Sequence, residues 1–264
     1  MKIVLEHLTK QFIARQGKGI VTAVDDFDFT IPDGKLIGLL GPSGCGKSTT
    51  LNLICGLEVP TKGKIYFDDL DVTELPPEAR GVGMVFQNYA LYPHLTVRQN
   101  IVFPLENLKG DKRLSREEMN EKVMEAARLV QIDELMDRKP NELSGGQQQR
   151  VAIARALVTD SDVVVMDEPI TNLDAKLREE MLLEIRMIQN RLGATILYIT
   201  HDQQSALQLC DKMAIMQPDG SLCQFGSDED IILNPANRFV FEFIGVSNFI
   251  PVVSDGGKLC LDCG

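Results

Sequence analysis

The residues best suited to chemistry in this chain lie in one glycine-rich segment, Gly41–Ser48, which reads GPSGCGKS. This segment fits the pattern G-x-x-x-x-G-K-[ST] at every fixed position. Glycines allow a tight turn in which successive N–H groups point at phosphate oxygens. Lys47 can bridge the outer phosphates of a triphosphate, and the Ser48 hydroxyl can ligate the accompanying Mg²⁺. The segment therefore predicts a site for a nucleotide phosphate.

Two neighbouring acids, Asp167 and Glu168, follow the unbroken apolar run 163–166, which predicts a buried parallel strand. In phosphate-loop enzymes an acid at such a strand end holds the magnesium ion, which makes Asp167 a candidate ligand. Glu168 is then placed to act as a general base that orients and deprotonates an attacking water. The alternative is a pair of surface acids that only cap the strand.

A third segment, 143–147, reads LSGGQ and precedes a predicted helix at 147–157. Ser144 is a natural N-cap for that helix. The glycines Gly145 and Gly146 lie at its start, where free N–H groups and the helix dipole bind anions. Because one nucleotide already fills the first phosphate site, we interpret this second one as a grip on a nucleotide bound to another copy of the chain.

The surrounding sequence predicts the elements that must position these residues. The phosphate loop lies between a predicted strand at 35–40 and a predicted helix at 48–54. Apolar alternation or unbroken apolar runs predict further strands at 27–31, 63–67, 81–86, 163–166 and 194–200. A long amphipathic helix is predicted at 175–192, and the segment 88–158 is predicted to be all-helical, with a capping box at 115–118. This alternation of strands and helices favours an α/β sheet with an inserted helical lobe.

Bulk properties narrow the class of protein. The chain has 264 residues, 44% of them hydrophobic, and a formal net charge of −11, which argues against nucleic acid or anionic lipid as a direct partner. No apolar run reaches the length of a membrane span, and the first residues lack the shape of a signal peptide, so we expect a cytosolic protein. Its six cysteines, including the C-x-x-C pair Cys260 and Cys263, are interpreted as reduced thiols.

Taken together, these segments resemble the ATP-binding cassette (ABC) family, the nucleotide-binding subunits of ABC transporters. The resemblance covers roughly residues 1–245, and six motifs carry it in the family's order. They are the Walker A loop at Gly41–Ser48, the Q-loop glutamine at Gln87, the signature at 143–147, Walker B with the catalytic glutamate at 163–168, the D-loop at 171–174 and the switch histidine at His201.

The resemblance implies a P-loop NTPase fold, with ATP as ligand and Mg²⁺ as cofactor. It implies a RecA-like core with an antiparallel β-subdomain at 1–87 and 159–245, and a helical signature subdomain at 88–158. The residues implied to bind the chain's own ATP are Phe12, which would stack on the adenine, Gly41, Pro42, Ser43, Gly44, Cys45, Gly46, Lys47, Ser48, Thr49 and Gln87. Those implied in hydrolysis are Lys47, Glu168 and His201, and those implied as metal ligands are Ser48, Gln87 and Asp167.

The resemblance also implies partners. Two cassettes, identical or paralogous, would pair head to tail around two ATP molecules. The residues implied to touch the ATP of the partner are Ser144, Gly145, Gly146, Gln147 and Asp174. The segment 88–93 carries two tyrosines and a leucine, and in relatives such a groove receives a short helix from a membrane subunit; ordinary packing between the lobes is the alternative.

The segments 42–47, 86–94 and 172–178 resemble the importer branch that carries sugars, polyamines and some iron or sulfate. The expected function is thus an ATP-hydrolysing subunit on the cytoplasmic face of the membrane, bound to separate permease subunits and served indirectly by an external substrate-binding protein. Residues 246–264 are predicted to begin a β-rich regulatory region, truncated or naturally short. One departure is Ser205, which stands where relatives usually carry a glutamate. Two alternatives remain, namely an ABC protein that acts on DNA or the ribosome, and a degenerate cassette that only binds nucleotide.

Overall fold

Strands and helices alternate along the chain in the computed structural model, which describes residues 1–14, 19–108, 110, 113–171, 173–245, 252–255 and 258–261. The strands in these ranges are β1 (Ile3–Ile13), β2 (Ile20–Ile31), β3 (Leu36–Leu40), β4 (Lys62–Phe67), β5 (Leu70–Asp71), β6 (Val82–Val85), β7 (Val163–Asp167), β8 (Thr195–Ile199), β9 (Lys212–Met216), β10 (Leu222–Gly226), β11 (Val252–Asp255) and β12 (Lys258–Leu261). The helices are α1 (Lys47–Cys55), α2 (Pro77–Arg80), α3 (Val97–Glu106), α4 (Arg116–Leu129), α5 (Gly145–Leu157), α6 (Ala175–Leu192), α7 (Gln203–Leu209), α8 (Asp228–Leu233) and α9 (Arg238–Ile244).

The central sheet has six strands in the order β10-β9-β3-β8-β7-β6. The pairs from β9 through β6 are all parallel, and β10 is antiparallel to β9. Every residue of β3 and β8 is buried, as expected for unbroken apolar strands that are covered on both faces. The predicted α/β sheet is therefore confirmed.

Parallel pairing brings the carboxyl ends of four strands to one edge of this sheet. The residues that follow β3, β6, β7 and β8 at this edge are Gly41, Gln87, Glu168 and His201 or their immediate neighbours. Asp167 is the last residue of β7, paired with Ile199, although the sequence placed it just after the strand. The sheet thus gathers residues that lie far apart in the sequence.

A second, antiparallel sheet with the order β2-β1-β4-β5 covers one side of the central sheet. Phe27, Phe29 and Ile31 of β2 are buried and alternate with exposed residues, as the sequence predicted. Their side chains share one apolar core with Leu39 of β3 and Leu51 of α1. This packing fixes the helix that follows the phosphate loop between the two sheets.

The elements described between residues 88 and 158 are all helical, as predicted. Ser115 forms the predicted capping box: its hydroxyl accepts from the N–H of Glu118, whose carboxylate accepts from the N–H of Ser115. Helix α5 begins at Gly145, two residues before the predicted start at 147, because the Ser144 cap lies directly before it. The helices pack on β6 and β7 through a core that includes Val85, Ile101 and Ile153.

At the other end of the chain, β11 and β12 form an antiparallel pair. Of the region 246–264, which was predicted to be β-rich, only these two strands lie within the described residues, and Cys263 lies outside them. In the ranges that the structure describes, no helix combines the length and the apolar composition needed to cross a membrane.

Arg80 fastens α1 to the segment that follows β5. The residue is 4% exposed, and its guanidinium donates to the carbonyls of Leu53 and Ile54, at 2.7 and 2.9 Å, in the last turn of α1. It also donates to the carbonyls of Thr73 and Leu75, both at 2.9 Å. A cation at a helix C-terminus is favourable because the carbonyl groups there carry partial negative charge. Arg80 therefore stabilises the helix on which the phosphate loop depends.

We expect Arg80→Lys to lower the free energy of unfolding by about 3 kcal/mol, because an ammonium cannot reproduce the planar fork and leaves buried carbonyls without donors. Urea denaturation of the whole chain measures this change. Arg116→Lys, at an exposed position of α4, is the matched control, and its effect should stay within about 0.5 kcal/mol. Equal stability of the two variants would contradict the role given to Arg80.

Candidate functional site

The phosphate loop joins β3 to α1, and hydrogen bonds within the loop hold its conformation. Gly46 has a φ of 99°, and a Cβ atom there would lie 2.1 Å from the carbonyl oxygen of Ala23, so only glycine fits. The ammonium of Lys47 donates to the carbonyls of Gly41 and Pro42 at 2.8 and 2.9 Å, and the residue is 7% exposed. These carbonyls hold the ammonium over the loop, where a phosphate can replace them as its partner.

The start of α1 offers the groups expected of an anion site. Ser48 is exposed and Thr49 is partly exposed, whereas Thr50 is buried and returns its hydroxyl to the carbonyl of Gly46 at 3.1 Å. Cys45, predicted as an ATP-binding residue, has a buried side chain. Among the described residues the hydroxyls of Ser48 and Thr49 make no hydrogen bond, and Ser48 is the more exposed of the two, whereas Thr50 uses its hydroxyl within the helix.

Glu168 lies at the centre of a hydrogen-bonded cluster where β7 ends. The amide nitrogen of Gln87 donates to its Oε2 at 3.1 Å, and Nδ1 of His201 lies 2.8 Å from its Oε1. Glu168 has a φ of 45°, and its N–H donates to the carbonyl of Ile199 on β8 at 2.8 Å. The structure thus brings together three of the residues that the sequence singled out, and it holds one of them in a strained backbone conformation.

Thr171, which the sequence placed in the D-loop segment but not among the candidate site residues, also contacts this cluster. Its hydroxyl lies 3.2 Å from the carbonyl oxygen of Glu168 and 3.4 Å from Oε2 of the same residue. The sequence signal for this contact is the position of Thr171 three residues after Glu168, because threonine hydroxyls often bond to the backbone of the preceding turn.

The carboxyl of Asp167 lies in an electrostatically unfavourable position. Burial raises the pKa of its carboxyl, the negative charge of Glu168 raises the pKa further, and the Lys47 ammonium lowers it. Ser48 and Asp167 offer a hydroxyl and a carboxylate, and Gln87 has an amide oxygen besides the nitrogen that faces Glu168. This all-oxygen set suits Mg²⁺, and a cation there would offset the repulsion between the two carboxylates.

Phe12, the predicted adenine platform, lies near the end of β1 opposite Val21. Its side chain is 38% exposed, and the ammonium of Lys10 lies 4.9 Å from the ring centroid. An exposed ring of this kind retains surface for a flat partner.

The signature residues form a separate group. The Ser144 hydroxyl accepts from the N–H of Gln147, whose side-chain oxygen accepts from the N–H of Ser144 at 3.0 Å. Gly146 is buried, and a Cβ atom there would lie 2.8 Å from Leu177 of α6. Asp174 is exposed and caps α6 by accepting from the N–H of Leu177 at 3.0 Å. Asn172 of the predicted D-loop lies outside the described residues.

No hydrogen bond or ion pair among the residues of the described ranges joins 144–147 to the phosphate loop. The exposed start of α5, with Ser144 and Gly145 facing solvent, therefore leaves its anion-binding end directed outward.

A cavity of about 970 Å³ opens between β6 and the helices α3 and α5. Three aromatic side chains on its wall, Phe86, Tyr92 and Phe103, are each more than a third exposed. The rings of Tyr92 and Phe103 pack with their centroids 4.8 Å apart. Tyr89 was predicted to line this groove, but the prediction was wrong, because its side chain is buried in the helical core.

Comparison with known proteins places this geometry in a family. A model of the ABC transporter family matches residues 24–171. An Fe(3+) ions import ATP-binding protein of Fusobacterium nucleatum is 48% identical over 89% of this chain and 62% of its own length. A xylose/arabinose import ATP-binding protein of Haloferax volcanii is 49% identical over 92% of this chain and 61% of its own length. The chain therefore spans rather less than two thirds of these relatives.

Among solved structures, the dimeric structure of MJ0796, a bacterial ABC transporter cassette, superposes with a TM-score of 0.75 at 33% identity. The match covers 85% of this chain and 98% of the cassette. The predicted P-loop NTPase fold is thereby confirmed. Since the family model covers more than half of the sequence, and relatives of nearly half identical sequence cover most of it, the chain belongs to the ABC transporter family.

Proposed function

We propose that this chain is the ATP-hydrolysing subunit of an ABC importer. The observation that carries the proposal is the cluster at the end of β7, where Gln87 and His201 both contact the carboxylate of Glu168 beside the phosphate loop. The names of its relatives support the direction of transport, because they are import ATP-binding proteins.

ATP binding rests on the loop and helix start described above. The N–H groups of Gly41–Ser48 and the N-terminus of α1 would surround the phosphates, and Lys47 would exchange its two carbonyl partners for phosphate oxygens. Phe12 would stack on the adenine, which requires only a flat apolar face.

Hydrolysis needs a water that is activated and aimed at the outer phosphate. Glu168 would accept a proton from that water, and His201 would hold the water and donate to the phosphate. Ser48, Gln87 and Asp167 would hold Mg²⁺, which when bound neutralises the charge that builds up on the phosphates. The contacts of Gln87 and His201 keep the Glu168 carboxylate in one orientation, so little reorganisation is needed when the water arrives.

We also propose that the site is completed by a second copy of the chain or by a paralogue. Ser144, Gly145, Gly146 and Gln147, with Asp174, would contact the ATP held by the partner. Two observations support this arrangement: the N-terminus of α5 is exposed, and the structurally similar cassette is described as dimeric. ATP between two copies then stabilises the pair, and its hydrolysis releases it.

We further propose that the cavity lined by Phe86, Tyr92 and Phe103, called here the aromatic cavity, binds a short helix of a membrane-spanning permease. Exposed aromatic rings on a concave wall supply the apolar area that such a helix would bury. The described helices of 88–158 would form the lobe that contributes to this binding site, and residues 1–87 and 159–245 would form the core. Such a subunit would work on the cytoplasmic face of the membrane, with an external binding protein supplying the permease.

The two alternatives are less well supported. The net charge of −11 disfavours DNA or ribosomal RNA as a partner. A degenerate cassette would lack part of the catalytic cluster, whereas Glu168, Gln87 and His201 are all present and in contact.

The proposal predicts that Glu168→Gln lowers phosphate release by at least about a hundredfold, because the general base is removed while the shape is kept. The variant should also accumulate as an ATP-bound dimer in size-exclusion chromatography. Glu121→Gln, at an exposed position of α4, is the control and should leave both measurements unchanged. Undiminished phosphate release from Glu168→Gln would refute the assignment.

A composite site makes a second prediction, for a mixture of two inactive variants. Lys47→Ala disables the phosphate loop, and Ser144→Arg disables the signature end. In a mixed dimer both defects fall in one pocket and the other pocket is intact. Random pairing makes half of the dimers mixed, so phosphate release should return to about a quarter of the unaltered rate. Turnover in the mixture no higher than in either variant alone would speak for sites contained within one chain.

A third prediction concerns Asp167, whose pKa is raised by burial and by Glu168. A carboxyl with a raised pKa in the folded state destabilises the fold when it is ionised, so this cost is present at neutral pH and disappears as the pH falls through that pKa. Asp167→Asn should therefore raise the unfolding temperature at pH 7 without Mg²⁺ and ATP, yet lower phosphate release by at least about a hundredfold. A lower unfolding temperature at pH 7 would contradict this account of the site.

A further inference from the structure

Two residues beside the aromatic cavity have a strained backbone. Tyr89 and Ala90 have φ values of 60° and 47°, in the left-handed region that residues with a Cβ rarely adopt. Such conformations persist only where the surroundings enforce them. The segment that leads from Gln87 to the cavity is thus held in place by contacts from elsewhere in the protein.

Arg155 of α5 supplies these contacts. Its guanidinium donates to the carbonyl of Ala90 at 2.7 Å and to that of Tyr89 at 2.8 Å, and it lies 5.7 Å from the ring of Tyr92. The residue is 9% exposed, and no ion pair of the described residues includes it. A buried cation must be hydrogen-bonded, and hydrogen bonds from a charged donor are stronger than neutral ones. Arg155 therefore stabilises the strained backbone of Tyr89 and Ala90, and their carbonyls supply the hydrogen bonds that the buried guanidinium needs.

The side chain of Tyr89 reaches the opposite end of the same helix. Its hydroxyl lies 4.0 Å from the position that a Cβ of Gly145 would take, at the start of α5. Tyr89 is 7% exposed, and its hydroxyl is buried without a hydrogen-bond partner. The backbone of Tyr89 is thus held near the C-terminus of α5, and its ring ends beside the signature residues at the N-terminus.

The same segment connects to the catalytic cluster. The N–H of Tyr89 donates to the carbonyl of Phe86 at 2.9 Å, which closes the turn around Gln87. Gln87 in turn donates to Glu168 at 3.1 Å. A continuous set of contacts therefore runs from Glu168 through Gln87 and Tyr89 to α5, and along α5 to Ser144.

We propose that Arg155 is a positioning residue which, together with Tyr89, fixes the signature end of α5 relative to Gln87 and so sets how readily ATP pairs two copies of the chain. This inference rests on the proposed function, since it requires that the signature end binds the ATP of a partner. The contact between α5 and residues 89–90 lies outside all six motifs, and the inference gives this contact a role in dimerisation.

The test uses the whole chain in the Glu168→Gln background and measures the ATP concentration at which half of the protein is dimeric, by light scattering. Arg155→Lys keeps the charge but loses the fork that reaches both carbonyls. It should raise that concentration about tenfold, the effect expected from losing one charge-assisted hydrogen bond. ATP affinity of the monomer, measured with a fluorescent ATP analogue at low protein concentration, should stay within about twofold, because the phosphate loop is untouched.

Ala90→Gly provides the rescue. Glycine adopts a left-handed φ at little cost, so adding this change to Arg155→Lys should restore a large part of the dimerisation. Arg150→Lys is the matched control, because Arg150 lies on the same helix but bonds to Glu184 and to the carbonyl of Val130, away from the cavity. It should leave the half-dimer concentration unchanged.

Should Arg155→Lys fail to fold, Tyr89→Leu takes its place, because it keeps the carbonyl for Arg155 and removes the reach to Gly145. It should raise the half-dimer concentration in the same direction. Unchanged dimerisation of Arg155→Lys, or an equal rise in Arg150→Lys, would overturn the inference. Absence of any ATP-bound dimer in the Glu168→Gln background would instead overturn the proposed function, so the two failures are distinguishable.

Discussion

Parallel strand pairing at the centre of the sheet is the constraint on which the rest of the structure depends. Because β3, β6, β7 and β8 run in one direction, their carboxyl ends meet at one edge, and the loops that follow them must share that space. Lys47, Gln87, Glu168 and His201 come from four separate parts of the sequence and are neighbours only for this reason. Any change that reversed or displaced one strand would remove its residue from the site.

This convergence has an electrostatic cost. Asp167 and Glu168 bring two carboxylates to a partly buried strand end, and the pKa of Asp167 is raised as a result. Lys47 relieves part of that cost, and a bound cation would relieve more. The site is therefore less stable without a bound cation than with one, as is usual for sites that bind charged ligands. The positive φ of Glu168 is a second local cost, borne by the hydrogen bonds of its backbone and side chain.

Two buried arginines connect this edge to the rest of the molecule, and both bond to backbone carbonyls. Arg80 holds the end of α1 to the segment that follows β5, and Arg155 holds α5 to the segment that follows Gln87. Each guanidinium donates to several carbonyls at once, because it presents five N–H donors in one plane. Because both helices are attached at these points, α1 and α5, whose N-termini can bind anions, keep a fixed orientation relative to the sheet.

The sequence by itself determined the α/β class, the phosphate loop and the identity of the candidate catalytic residues. These follow from residue types at fixed spacing within short segments: the glycines and Lys47 before α1, the acids after the apolar run of β7, and Ser144 before α5. Local patterning also predicted the alternating burial of β2 and the long helix α6, because amphipathic periodicity is a property of neighbouring residues. It misjudged Tyr89, whose exposure depends on packing that no local pattern describes. Only the tertiary structure decided that Thr171 joins the Glu168 cluster, that Tyr89 turns into the core, and that Arg155 holds a strained segment 66 positions earlier in the chain. Those contacts depend on how the helices pack against the sheet, and packing joins residues whose separation along the chain carries no periodic signal.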